Sequence, residues 1–237
     1  MPDHAADAEP VNAPDSRTQL IQAAAQVFSV KGFDGASTRE ICQSAAVNLS
    51  AIKYYFGDKA GLYRAVLQWA FGEVTASFGQ FDDPALSFQQ AVRQFLVPLI
   101  QTDGNPTQQQ PAQQQPAQQS IDARVMGLYL YELIKPSAIF PEIIQQTVLP
   151  THQAFCQLLA RQLGAVAVDP AIHQLAFAIC AMAHDYSLSR DVMRTLAPEL
   201  LDQPDATVQI TDRLLAYSQA LLDVERRLRQ SIPTDSL

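Results

Sequence analysis

Lys53, Tyr54 and Tyr55 follow Ser50 closely in this 237-residue chain, so one short stretch offers a cation, two phenols and a hydroxyl. Cations and hydroxyls reach phosphate oxygens. Small apolar neighbours such as Leu49 and Ala51 can touch thymine methyls. Thr38, Arg39 and Asn48 come just before this stretch and Lys59 just after it. A duplex major groove admits one helix whose first turns carry such side chains. The candidate DNA contacts are therefore Thr38, Arg39, Asn48, Leu49, Ser50, Ala51, Lys53, Tyr54, Tyr55 and Lys59.

The elements that must hold them are legible in residues 37–59. Thr38 is a suitable N-cap for a helix opening at Arg39. Ile41 and Ala45 share a face at a spacing of four. The small run Ala45, Ala46, Val47 allows a second helix to pack closely. Asn48 is placed to cap that helix, residues 49–56, from which Ile52 and Phe56 point inward. Two readings fit this pattern. One is a short helical hairpin with a solvated basic face; the other is a helix-turn-helix, a spacing common in all-helical proteins.

Residue order favours the second. The stretch from Arg17 to Trp69 resembles the DNA-binding domain of TetR-family transcriptional regulators. The resemblance is carried by residues 20–28, by Lys31-Gly32-Phe33, Ser37 to Ile41 and Ala45-Ala46-Val47, and by Tyr54-Tyr55-Phe56-Gly57-Asp58-Lys59 with Leu62. So many matches in one order are far more specific than a lone short motif. The form of residues 48–52 is similar to the CecR-type branch. There are two departures: Lys53 stands where the family has an aromatic, and Ala60-Gly61 replaces an acidic pair. The resemblance implies an all-α fold, with a three-helix, homeodomain-like DNA-binding domain (residues 16–70) followed by a helical ligand-binding and dimerisation domain (71–230).

Composition agrees. Hydrophobic residues make up 48% of the chain, enough for one large or two small domains. Glycine is scarce and Ala, Leu and Gln abound. No apolar run approaches the roughly 18 residues of a membrane span, and the acidic N-terminus is not that of a secretory signal. A cytoplasmic protein is expected. The formal net charge is -8. Yet within residues 16–70, six basic side chains (Arg17, Lys31, Arg39, Lys53, Lys59, Arg64) against three acidic ones (Asp34, Glu40, Asp58) leave +3. Screening confines each charge to about 8–10 Å, so a basic face on an acidic body is compatible with DNA. Cys42, Cys156 and Cys180 show no metal-ligand spacing and read as small buried apolar residues. An enzyme is not expected: there is no Gly-rich phosphate loop, no Ser elbow and no His/Cys cluster in the sequence, and His184-Asp185, being adjacent on a helix, face apart. No cofactor is expected beyond an unidentified small-molecule effector.

In chain order, residues 1–15 read as a disordered tail. A helix over 17–30 ends at Gly32, with Phe33 filling the small core. Asp58 caps a helix carrying Leu62, Ala65, Val66, Trp69 and Ala70 at helical spacing, and Gly61 in its first turn reads as neutral. This helix joins the two halves. Asp83-Pro84 opens the next helix, which Pro98 kinks or ends. Residues 101–120, rich in Gln and Pro, read as a disordered insertion. A helix with Ile121, Val125, Leu128 and Tyr129 stops at Pro136. Another runs from Pro141 to Gly164 with a kink at Pro150. Residues 131–137 and Pro150 also resemble the CecR-type C-terminal domain. The last helices, about 170–188 and 206–228, suit a four-helix homodimer interface, and a tail is expected over 231–237.

The effector candidates are residues with polar tips on apolar helices: Arg124, Tyr129, Glu132, His152, His173, His184 and Tyr186. The expected function is a dimeric repressor released from a near-palindromic operator by a small-molecule effector. The alternative is a ligand-independent architectural DNA-binding dimer, which a filled C-terminal core would favour.

Overall fold

A computed structural model describes residues 16–100 and 123–231. The expectations for the 1–15 tail, the 101–120 insertion, Ile121 and the end of the C-terminal tail lie outside the described residues. Among these every regular element is a helix. In order they are α1 (Ser16–Gly35), α2 (Thr38–Ser44), α3 (Ser50–Phe56), α4 (Lys59–Ser77), α5 (Phe88–Ile100), α6 (Ala123–Ile134), α7 (Phe140–Ile143), α8 (Leu149–Leu163), α9 (Pro170–Leu188), α10 (Arg190–Leu196) and α11 (Ala206–Ser231). A π turn, Ile144–Val148, joins α7 to α8, and a 3-10 turn, Pro198–Leu200, follows α10.

Helices α1, α2 and α3 close on the N-terminal half of α4. Leu20, Ala24, Phe28, Ile41, Leu62, Tyr63 and Val66 are fully buried there. The helix starts follow from side-chain caps. Ser37, not Thr38, caps α2 by accepting from the Glu40 N–H, which leaves Thr38 as the first helical residue. The Asp58 carboxylate accepts from the Gly61 N–H at 2.8 Å, and Asp169 accepts from the Ile172 N–H at 3.0 Å. The α2–α3 turn is a Schellman closure: Val47 N–H bonds the Cys42 carbonyl and Ala46 N–H that of Gln43. Ala46 takes the left-handed position, φ 53°, that glycine usually fills.

Several expectations are corrected. Gly32 does not end α1 outright. It breaks it with φ 65° and ψ -177°, and one more turn follows. Phe33 is only half buried and lies at the edge of the core against Tyr63, 5.1 Å between centroids. The fifth helix starts at Phe88 rather than at Pro84, because Ser87 accepts from the Gln90 N–H while Gln90 accepts from the Ser87 N–H. Asp83 instead caps a turn at Ala85. The bend before Pro150 is a π turn, in which Leu149 N–H reaches back to the Ile144 carbonyl. A proline four residues on collides with the carbonyl of Gln146, and widening the preceding turn relieves it.

Gly61 is not neutral. A Cβ there would stand 2.0 Å from the Phe56 carbonyl oxygen, so α3 and α4 meet closely only because this residue has no side chain. Gly61→Ala gains about 1 kcal/mol of helix propensity and loses more to backbone overlap. The expected net result is a destabilisation of about 1–3 kcal/mol, read by chemical denaturation.

The C-terminal half packs α5, α6, α8, α9 and α11 around Phe95, Leu96, Ile100, Leu128, Phe155, Ile179 and Leu214. Phe95 and Phe155 stack with centroids 4.2 Å apart. The two halves join along α1, α4 and α6. The Gly127 Cα lies against Ser29, where a Cβ would come within 3.0 Å of the serine's. Lys135 pairs with Asp34 at 2.8 Å. At the centre the Tyr63 hydroxyl donates to Glu132 Oε1 at 2.5 Å.

Candidate nucleic-acid interface and internal cavity

Among the described residues α3 presents an exposed, polar outward face. Ser50, Lys53, Tyr54 and Tyr55 are exposed, with Tyr54 at 82%. The Tyr54 and Tyr55 rings meet edge to face at 4.8 Å. Asn48 and Leu49 are exposed at the N-terminus of α3, and Asn48 Oδ1 accepts from the Ser50 N–H at 3.4 Å. Ala51 is half buried beside them. Asn48, Ser50, Ala51, Tyr54 and Tyr55, together with Ser16, Ala46 and Val47, form a shallow concavity at the start of the helix. The sequence candidates on α3 are thus brought together. Arg39 is exposed on α2 and Thr38 is half buried. Lys59 is placed differently: its Nζ sits 4.7 Å from the centre of the Phe33 ring, a cation–π contact that fixes it at the α3–α4 corner. Arg17 covers the Phe56 ring at 5.5 Å and ties α1 to the end of α3.

A cavity of about 400 Å³ lies inside the C-terminal half, bounded by α4, α5, α6, α8 and α9. Phe71 and Val74 of α4, Phe78 just after it, Phe95 of α5, Val125 of α6 and Phe155 of α8 are among its apolar lining. Its polar groups are few: Thr75, Tyr129, Thr151, His152, Cys180 and His184. No charged side chain among the described residues lines it. Burial holds His152 and His184 below the usual imidazole range, so both are neutral near pH 7. Burial raises the Tyr129 phenol. Cys180 is pushed up to about 12, chiefly by burial and further by Cys156, which keeps it a thiol. A space of this size and lining accepts a largely apolar molecule with one or two hydrogen-bonding groups.

Three of the effector candidates line this space: Tyr129, His152 and His184. The Tyr129 and His184 rings are 5.8 Å apart. The others do not. Arg124 lies over the Trp69 ring at 5.5 Å and donates to the Gln22 carbonyl, bridging α6 to α1. Glu132 is wholly buried, but its partners are the Tyr63 hydroxyl and the Ser137 N–H, so it joins the two halves of the molecule. Burial, then this carboxylate, holds the Tyr63 phenol far above its ordinary range. Tyr186 is not among the residues that line the cavity. His173 bonds His152 at 2.9 Å from behind the cavity wall.

Sequence reasoning missed Tyr63, which a stripe counted only from Leu62 leaves out. It also found no His/Cys cluster, whereas His152, Cys156 and His173 meet across α8 and α9. The spacing of four between His152 and Cys156 was the available signal.

Two family models match the chain. One, described as "Bacterial regulatory proteins, tetR family", covers residues 20–66. The other, "HTH-type transcriptional dual regulator CecR, C-terminal domain", covers residues 114–223. The HTH-type transcriptional dual regulator CecR of Shigella flexneri is 28% identical over 65% of this chain and 67% of its own length. The Probable HTH-type transcriptional regulator YttP of Bacillus subtilis (strain 168) is 47% identical over 20% of this chain, a match spanning 23% of that protein. A transcriptional regulator from Rhodococcus sp. Rha1 superposes with a TM-score of 0.59 at 16% identity, covering 87% of this chain and 97% of that one, which shows the shared fold.

Proposed function

We propose that this chain, a DNA-binding transcriptional regulator of the TetR family and of the CecR-like kind, is a dimeric repressor released from its operator by an apolar effector. The observation that carries the effector is the cavity, about 400 Å³, walled in part by α4 and α6, the two helices that also join the DNA-binding unit. A purely architectural dimer has no use for such a space.

The coupling runs through α4 and α6. The 19 residues of α4 span about 28 Å. Its first turn touches α3 through Gly61 and Phe56, and its last turns line the cavity with Val74, Thr75 and Phe78. α6 lines the cavity with Val125, Met126 and Tyr129, and also grips the DNA-binding unit through Gly127, Glu132 and Lys135. A ligand shifts this arrangement only by binding one state better than the other, and a hundredfold change in operator affinity needs about 2.7 kcal/mol of such preference.

Support for a homodimer comes from the outer faces of α9 and α11. Tyr217, Val224 and Leu228 make an exposed apolar stripe on α11, with the half-buried Leu221 between them. Exposed Phe177, Ala178 and Ala181 give α9 an apolar outer face as well. Two such pairs form a four-helix interface and set two copies of α3 against successive major grooves. The cellular setting is then the cytoplasm, where the chromosome is.

The DNA contacts we assign are those of the α3 face, with Arg39 and Lys59 at its flanks. Lys59→Ala is expected to weaken binding to all duplexes alike and to flatten the salt dependence by about one unit of slope per site, measured by fluorescence anisotropy across a salt series. An unchanged slope would remove Lys59 from the interface. The effector is tested by filling the cavity. A panel of aromatic and fatty-acyl probes should include one that releases the operator duplex, and Thr75→Trp should abolish that release while leaving duplex affinity within about twofold. Release that persists unchanged in the variant would place the effector elsewhere.

A further inference from the structure

We propose that His152, Cys156 and His173 form a binding site for a divalent cation of the zinc class, built between α8 and α9 at the wall of the cavity. His152 and Cys156 lie four residues apart on α8 and so point the same way. His173, one turn into α9, meets them from the facing helix. His152 Nε2 is 2.9 Å from His173 Nδ1, and Cys156 Sγ is 3.4 Å from the first and 3.5 Å from the second.

These separations are close to those a metal would impose. Zinc bonds of about 2.0–2.1 Å to nitrogen and 2.3 Å to sulfur at tetrahedral angles set ligand atoms about 3.3 Å (N to N) and 3.6 Å (N to S) apart. The two sulfur distances already agree within about 0.2 Å. Only the two imidazoles must part, by about 0.4 Å, turning so that both nitrogens face one point. Their rings lie 15° from parallel, with half-buried His152 against Phe177 on one side, so the movement is a small rotation within a packed layer.

The donor set chooses the cation. Two imidazoles and a thiolate suit zinc, cobalt, nickel or copper, whereas magnesium and calcium take oxygen ligands. Binding is balanced by one proton. Cys156 loses its thiol proton to solvent, while each imidazole coordinates through one ring nitrogen and carries its proton on the other. Three protein donors leave a fourth position for water or for a donor atom of a molecule in the cavity that His152 lines. The site clamps α8 to α9, whose outer face belongs to the dimer surface described above. It requires neither DNA nor effector, so its test is independent of the regulatory reading.

The test is a titration of the full, metal-free, reduced chain with cobalt(II). The expected result is one cobalt per chain, with the thiolate charge-transfer band and the intense visible bands of tetrahedral coordination, bleached by zinc, and one proton released per metal. Cys156→Ser should remove the charge-transfer band, and both it and His173→Gln should weaken binding at least about 100-fold, more than loss of an outer-sphere partner costs. Cys42→Ser, in the DNA-binding unit, should change neither. Zinc should raise the melting temperature of the parent chain but not of Cys156→Ser, and a metal-free melting temperature shared by the two shows that the variant is folded. A six-coordinate cobalt spectrum without a charge-transfer band, or a band that survives Cys156→Ser, would overturn the site and leave three side chains that only hydrogen-bond one another.

Discussion

Glu132→Ala should lower stability by about 3–5 kcal/mol, the largest single effect expected in this fold. Glu132 has no exposed surface. Its two oxygens accept from the Tyr63 hydroxyl at 2.5 Å and the Ser137 N–H at 2.8 Å. Removing it strands both donors, at about 1–3 kcal/mol each, and leaves a gap where α4 meets α6. Ser137 Oγ is also buried there without a hydrogen-bond partner among the described residues. Tyr63→Phe is the milder companion, at about 1–2 kcal/mol, because it strands one oxygen and keeps the ring packing against Phe28. Denaturant titration of the two variants gives the order. Equal losses would mean that the Ser137 bond contributes nothing.

Tyr54→Ala should do the opposite: leave stability within about 0.5 kcal/mol and remove most of the DNA affinity. The side chain is 82% exposed and its ring touches only Tyr55 among the aromatic contacts of the described residues. Nothing in the monomer depends on it. A phenol donating to a charged phosphate contributes about 1.5–3 kcal/mol, and the proposed dimer would lose two such contacts. The expected loss is therefore about 3–6 kcal/mol, at least about 100-fold in affinity. Anisotropy of a labelled operator, beside a melting curve of the same sample, reads both quantities. Loss of affinity together with a lowered melting temperature would make Tyr54 a packing residue.

Local chemistry was readable where one turn decides the outcome. Asp58 caps the helix that the sequence assigns to it. Gly164 closes α8 in the left-handed conformation. Residues 38–56 fold as two short helices with the polar face of α3 outward. Asp83-Pro84 failed as a helix start because Ser87 and Gln90 cap each other three residues later, a reciprocal pair that competes with the Asp-Pro signal. What needs two distant segments was not legible. Glu132 looked like a ligand group because a lone carboxylate on an apolar helix has no visible partner in sequence, and its partner Tyr63 is 69 residues away. Tyr63 was passed over because α4 is buried on two adjoining stripes, and the count from Leu62 follows one. Gly61 looked neutral because helix propensity says nothing of the Phe56 carbonyl beside it. His152 and Cys156 could be paired by their spacing, but His173 joins them only when α9 folds back along α8.

The most direct test of the account is a selection of random duplexes by the purified chain at moderate salt. It should recover one near-palindromic sequence with half-sites about one helical turn apart or a multiple of it, and that sequence should lose its enrichment in Tyr54→Ala. Recovery of no preferred sequence, with only weak and salt-sensitive binding, would contradict a dimer that reads DNA through two copies of α3.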